Sequence, residues 1–140
     1  MKRSIAGFFG GLLAWILIVS LLDRALRVLI DGYQAAEPQL SFTLPMMAAR
    51  LTIAAVTSLL AGAIVAAIAP SSSRTPWVLG LIVLAAFVPE HIYVWHRLPA
   101  WYHLTFLLTL VPLVVIGARL ARATGVARSP AAEQDAMASR

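Results

Sequence analysis

The sequence lacks cysteine and has few charged residues: only 12% of its 140 residues are Asp, Glu, Lys or Arg. Without cysteine, the chain cannot form a disulfide, a thiolate metal site or a cysteine nucleophile. A soluble domain is usually about half apolar and about one quarter charged. Here 61% of the residues are hydrophobic and the mean hydropathy is +0.86. The composition therefore indicates a protein surrounded by lipid.

The sequence also lacks the alternating pattern of a half-buried strand, and it contains four long apolar segments instead. Backbone polar groups must be paired within the chain in lipid, so each segment is predicted to be a helix. We predict an all-α membrane protein, a four-transmembrane-helix bundle with short loops, covering residues 1–123. Its helices are expected at about 4–30, 46–69, 76–96 and 101–123. Residues 124–140 are small and polar, which predicts a disordered C-terminal tail.

The N-terminus has a basic start and an apolar run, the two marks of a signal peptide. The run extends from Ile5 to Leu22, which is longer than the apolar region of about 7–15 residues in a cleaved signal. It is followed by DRALR rather than by a small-residue cleavage site. We interpret the segment as a retained first transmembrane helix.

The chain is basic, with 11 Lys and Arg against 6 Asp and Glu. These cations lie mostly at the ends of the apolar segments, where they report membrane topology rather than nucleic-acid binding. Four spans place both termini on one side. That side carries Lys2, Arg3, Arg74, Arg119, Arg122, Arg128 and Arg140, and the other side carries Arg24, Arg27, Arg50 and Arg97. The bias predicts that both termini are cytoplasmic.

Two of the segments carry stripes of small residues, which let helices approach closely in lipid. The second has Ala54, Ser58, Gly62 and Ala66 at intervals of four, and the first has Gly7 and Gly11. Packing within the chain is the favoured interpretation, with self-association as the alternative. Extending the second stripe by four reaches Arg50, which is therefore expected near a helix–helix contact.

The stretch Phe87–His103 contains every histidine of the chain. Its first half is predicted to lie deeper in the membrane than its second half. Glu90 lies 13 residues after Trp77, about 20 Å along a helix, which predicts a carboxylate inside the hydrocarbon layer. Such a group needs a partner. Depth favours Arg50, so Glu90, His91 and Arg50 form the candidate polar cluster. A structural Glu90–Arg50 pair that fixes helix register is favoured over a titrating or cation-binding site.

The histidines offer a second, weaker pattern. His91 and His96 are five residues apart and do not share a helix face, which argues against a metal motif on one helix. His91 and His103 lie on adjacent helices and are the pair that haem or a metal would use. Aromatic residues flank the turn, as in a membrane-interface belt: Tyr93, Trp95, Trp101 and Tyr102. His96 and His103 fit among the headgroups, so we expect no cofactor and no metal.

The run WYHLTFLLTLVPLVVIGARLAR, from Trp101 to Arg122, resembles the closing helix of small four-span bacterial membrane proteins usually described as uncharacterised. The start MKRSIAGFFGGLLAWILIVSLLD is similar in style. The resemblance implies a bacterial inner-membrane protein and assigns no activity.

Three functions remain open from the sequence. The favoured one is a non-enzymatic integral membrane protein, either an accessory or structural subunit of a larger membrane complex or a self-assembling bundle. The first alternative is a small oligomeric transporter or channel that uses Glu90 and Arg50. The second is haem or metal binding through His91 and His103. The expected partners are the lipid bilayer and a membrane protein or a second copy, without nucleic acid.

Overall fold

The computed structural model describes residues 1–125 and shows an all-α fold, with no strand in that range. Its helices are α1 (Lys2–Leu29), α2 (Tyr33–Ala36), a 3-10 turn (Glu37–Gln39), α3 (Leu44–Ile68), α4 (Thr75–Tyr93) and α5 (Ala100–Ala123). The predicted fold class is confirmed. The predicted disordered tail falls on residues 124–140, of which 126–140 lie outside the described residues.

The four long helices, α1, α3, α4 and α5, are each long and apolar enough to cross a membrane. The chain is therefore a multi-pass integral membrane protein. The predicted segments match these helices except near Pro99, where α4 ends at Tyr93 instead of His96. A residue that precedes proline is disfavoured in the helical conformation, so the chain must leave the helix before Leu98. Residues 94–97 form turns instead.

Helix α3 lies at the centre of the bundle, with α1 on one side and α5 on the other, while α4 packs against α5 and α1. The crossing of α3 and α5 is a backbone contact. A Cβ added at Gly62 would collide with the carbonyl oxygen of Val114, and one added at Gly117 would collide with the carbonyl oxygen of Leu59. Only glycine allows the two helices to approach this closely.

The small-residue stripes lie inside this bundle. Gly7, Gly11, Ala54, Ser58, Gly62 and Ala66 are all buried. On α1, a Cβ added at Gly7 would lie 2.9 Å from the Cβ of Ala69, and one added at Gly11 would lie 2.7 Å from a methyl group of Leu79. Both stripes are thus occupied by contacts within the chain.

The two ends of the bundle are closed differently. At the end that holds Lys2 and Arg3, Arg122 donates hydrogen bonds to the carbonyl oxygens of Pro70 (3.1 Å) and Ser72 (2.7 Å) in the α3–α4 loop. We call the end of the bundle that holds Lys2, Arg3 and Arg122 the basic end. At the opposite end, the α1–α3 connection folds over the helices and buries Tyr33 and Phe42. This connection includes the short helix α2, which the sequence did not predict.

Candidate polar site at the opposite end

Arg50 is the centre of a polar cluster at this opposite end. Its Nη1 donates a 2.7 Å hydrogen bond to the hydroxyl of Tyr33, and its Nε donates a 3.1 Å hydrogen bond to the hydroxyl of Tyr102. Asp23 Oδ1 lies 3.7 Å from Nη1. The guanidinium carbon lies 4.8 Å from the ring centroid of Phe42. We call Asp23, Tyr33, Arg50 and Tyr102 the Arg50 cluster; it joins α1, α2, α3 and α5.

The depth of Arg50 explains why it needs these partners. It lies six residues after the start of α3 at Leu44, which is about 9 Å from the helix end. A guanidinium at this level has lost part of its hydration, and it is tolerated because hydroxyls and a carboxylate replace water. The aromatic face of Phe42 adds a cation–π contact. The cluster therefore supplies the polar partners that Arg50 needs and that the apolar residues of α3 do not provide.

The acidic partner of Arg50 belongs to a longer chain of alternating charges. Arg27 Nη2 lies 3.0 Å from Asp23 Oδ2 and 2.8 Å from Glu37 Oε1. Two carboxylates thus alternate with two guanidinium groups along Glu37, Arg27, Asp23 and Arg50. Their formal charges cancel, so the site has no net charge with which to attract an ion.

Tyr33 connects the two charges of the Arg50 cluster. Its hydroxyl accepts the hydrogen bond from Arg50 and donates a 3.3 Å hydrogen bond to Asp23 Oδ1. Burial raises the pKa of Tyr33 above its ordinary value, and Arg50 partly opposes that rise by favouring the phenolate. The carboxylate of Asp23 acts in the same direction as burial. The phenol is consequently held in its neutral form, in which it can donate and accept at once.

A cavity of about 230 Å³ lies beside the cluster, between α1, α3, α4 and α5. Its aromatic wall is formed by Trp15, Phe87 and Phe106, and Arg50 and Asp23 line its polar part. The three rings pack against one another, since the ring centroid of Phe87 lies 5.2 Å from those of both Trp15 and Phe106. Trp15 is further fixed by a 3.2 Å hydrogen bond from its Nε1 to Ser58 Oγ. The cavity has room for water or a small molecule beside a charge-balanced network.

The predicted contact between Glu90 and Arg50 is not formed. Glu90 is exposed on α4, and none of the salt bridges within residues 1–125 includes it. Neighbouring helix residues are rotated by about 100°, and the buried neighbour is His91, so Glu90 points away from the core. Because α4 ends at Tyr93, Glu90 also lies only one turn from the helix end. Asp23, rather than the predicted Glu90, is the carboxylate beside Arg50.

His91 and His103 do lie together inside the bundle. Their ring centroids are 5.1 Å apart and both side chains are buried. No ring nitrogen of either residue has a hydrogen-bond partner among the described residues. Phe106 lies 4.6 Å from His91, and Trp95 stacks on His103 at 4.8 Å. His103 was expected among the headgroups, but α5 turns it inward, as it does Tyr102.

The histidine pair does not fit haem. A bis-histidine haem has the porphyrin between the two imidazoles, whereas the rings of His91 and His103 touch each other and are enclosed by aromatic side chains. A metal centre would need further ligands, and the part of the chain that the structure describes has no group of three or more His, Cys, Asp or Glu placed to hold a metal ion. His96 is exposed and apart from the pair.

The sequence alone does not predict that Asp23, Tyr33 and Tyr102 surround Arg50. A signal for the first was present, since Asp23 ends the apolar run of α1 and Arg50 precedes that of α3, which places both at one boundary. No comparable signal exists for Tyr33, whose position depends on the fold of the α1–α3 connection.

Comparison with known proteins adds no family to this picture. No protein-family model, no curated protein and no solved structure matches the chain.

Proposed function

We propose that the chain is a non-enzymatic integral membrane protein of a bacterial inner membrane, serving as an accessory or structural subunit of a larger membrane complex or as a self-assembling bundle. The observation that carries the proposal is the internal pairing of the Arg50 cluster. Its guanidinium, carboxylate and two phenols are engaged with one another. Such a network ties the α1–α3 connection to the bundle, and each of its four side chains has a partner within it.

The exterior of the bundle supports a role in assembly. Helix α1 exposes a row of large apolar side chains, which either lipid or a second membrane protein could cover: Ile5, Phe9, Leu13, Ile16, Leu17 and Leu21. Glu90 adds an exposed carboxylate near the end of α4. A carboxylate at a membrane boundary can pair with a cation of a neighbouring subunit, which would give an otherwise apolar contact its orientation.

Purification in mild detergent tests the proposal. We expect a stoichiometric membrane-protein partner, or a defined oligomer of the chain, by native mass spectrometry. Glu90→Gln is expected to weaken the association, and Asp31→Asn serves as the control because Asp31 is another exposed carboxylate at the same end. A stable monomer without a partner, for the unmodified protein, would contradict the proposal.

A second candidate function is metal binding by the His91–His103 pair, for which the contact of the two rings is the supporting observation, although residues 1–125 place no third protein ligand beside it. Neutral imidazole nitrogens are good ligands for Zn²⁺ and Cu²⁺. Metal analysis of the purified protein, compared with His91→Phe, tests this candidate. A metal content near zero in the unmodified protein would exclude it. The alternative of transport through a Glu90–Arg50 pair is not supported by a contact between these two side chains.

A further inference from the structure

The charges of the two ends of the bundle are balanced differently. At the opposite end, Arg27 and Arg50 lie against carboxylates. At the basic end, no acidic side chain of residues 1–125 is present, since the described acids are Asp23, Asp31, Glu37 and Glu90. Five cations there make no ion pair within the described chain: Lys2, Arg3, Arg74, Arg119 and Arg122. Their counter-ions must come from outside this part of the protein.

One of these cations borders a groove on the surface of the bundle. The groove has a volume of about 410 Å³ and lies between the first turns of α1 and α4. Ile5, Phe9 and Val78 form its apolar part and are all exposed. Arg74, with Ser72, provides its polar part. The groove therefore has a charged part at Arg74, next to the start of α4, and an apolar part further along the helices.

The loop that carries Arg74 is held in place from both sides. Ser72 Oγ and Thr75 Oγ1 share a 2.7 Å hydrogen bond, and Arg122 donates to the carbonyl oxygens of Pro70 and Ser72. Arg122 is thus engaged with the loop backbone. No side-chain hydrogen bond of the described chain uses the guanidinium of Arg74, which leaves it available to a ligand on a loop whose backbone is held by Arg122.

We propose that this groove binds an anionic phospholipid, with its phosphate on Arg74 and an acyl chain along Ile5, Phe9 and Val78. The apolar wall favours a lipid over a soluble phosphate, because a soluble phosphate gains nothing from it. The charge of the basic end favours an anionic headgroup over a zwitterionic one. The ammonium of a zwitterionic lipid finds no carboxylate among residues 1–125 at this end and meets further cations instead.

Native mass spectrometry of the full chain tests the site. The detergent-solubilised protein is mixed with equal amounts of phosphatidylglycerol and phosphatidylcholine of identical acyl chains. A cation near the membrane surface contributes enough for about a fivefold preference for the anionic lipid. We expect that preference for the unmodified protein, and its loss in Arg74→Gln. Arg119→Gln is the matched control, an exposed cation of the same end that does not line the groove.

A second variant separates the groove from the charge alone. Val78→Trp fills the apolar part while keeping Arg74, and it should reduce retention of phosphatidylglycerol without changing the helix content measured by circular dichroism. Equal retention of the two lipids, or equal losses in Arg74→Gln and Arg119→Gln, would overturn the proposal. So would displacement of the lipid by millimolar inorganic phosphate, since that result would make the apolar wall irrelevant.

Discussion

At the scale of single residues, Arg50 shows how one charge can organise the end of a membrane bundle. Its guanidinium contacts side chains on three other elements: Asp23 on α1, Tyr33 on α2 and Tyr102 on α5. These contacts offset the cost of burying the charge and also link the elements to one another. Arg50→Met keeps much of the side-chain length but removes every one of these bonds. The carboxylate and both phenols would then lose their partner in a partly dehydrated layer.

We expect Arg50→Met to lower the free energy of unfolding by about 1–3 kcal/mol, the usual penalty for an orphaned polar group. Denaturant titration in detergent micelles measures it. Arg97→Met is the control, because Arg97 is exposed near the same end and makes no ion pair in residues 1–125. Equal effects of the two substitutions would refute a special role for Arg50.

Tyr33 gives the same cluster a dependence on pH. Burial raises the pKa of Tyr33 above the ordinary value of about 10 that it has when unfolded. The neutral phenol therefore stabilises the fold fully below about pH 10, and this contribution is lost as the pH rises through the higher folded value. Tyrosinate absorbance is measured against pH for the unmodified protein and for Tyr33→Phe. The difference between the two curves should show one phenol that ionises above the ordinary pKa of tyrosine. A difference curve centred on the ordinary value would contradict this.

At the scale of elements, the crossing of α3 and α5 sets how closely the bundle packs. Replacing a helical glycine by alanine favours the helix by about 1 kcal/mol from propensity alone. At Gly62 and Gly117 the added Cβ would meet a carbonyl of the other helix, which cannot move without separating the helices. Because the clash is with backbone, we expect steric strain in the upper part of the usual range of about 1–3 kcal/mol, which exceeds the propensity gain, so that Gly62→Ala and Gly117→Ala each destabilise the protein.

Gly10→Ala is the matched control for this contact. A Cβ added there meets only the terminal methyl group of Ile68, at 2.6 Å, and a flexible side chain can move aside. Its effect on the free energy of unfolding should be near zero or stabilising in the same denaturant titration. A stabilising effect of Gly62→Ala would show that α3 and α5 can separate without loss.

The sequence predicts the four membrane-spanning helices well, but it does not predict the Arg50 cluster. Apolar length is a local property, so the four spanning helices were found from the sequence, apart from the end of α4. Counting residues gives the depth of a side chain but not its rotation about the helix axis. Glu90 and Arg50 therefore appeared as partners, while burial of His91 turns Glu90 outward. Helix α2 was missed because burial of Tyr33 against distant residues, including Met46, holds it.

At the scale of the whole molecule, the charges define a direction across the membrane. Arg27 and Arg50 are neutralised by carboxylates at one end, while the ion pairs of residues 1–125 leave the cations of the basic end unmatched. We therefore predict that the basic end faces the cytoplasm, because cytoplasmic loops are enriched in Lys and Arg and the cytoplasmic leaflet is negatively charged. Orientation and the proposed lipid site thus depend on the same asymmetry.

The absence of cysteine makes this orientation simple to measure, because a single introduced thiol has no background. Gln34→Cys and Ser73→Cys place exposed thiols in the α1–α3 and α3–α4 connections, which lie at opposite ends of the bundle. We expect a membrane-impermeant maleimide to label the first in intact cells and the second only after permeabilisation. The reverse pattern would refute the predicted orientation. It would also place Arg74 away from the anionic leaflet, so that the groove would need a different source of its counter-ion.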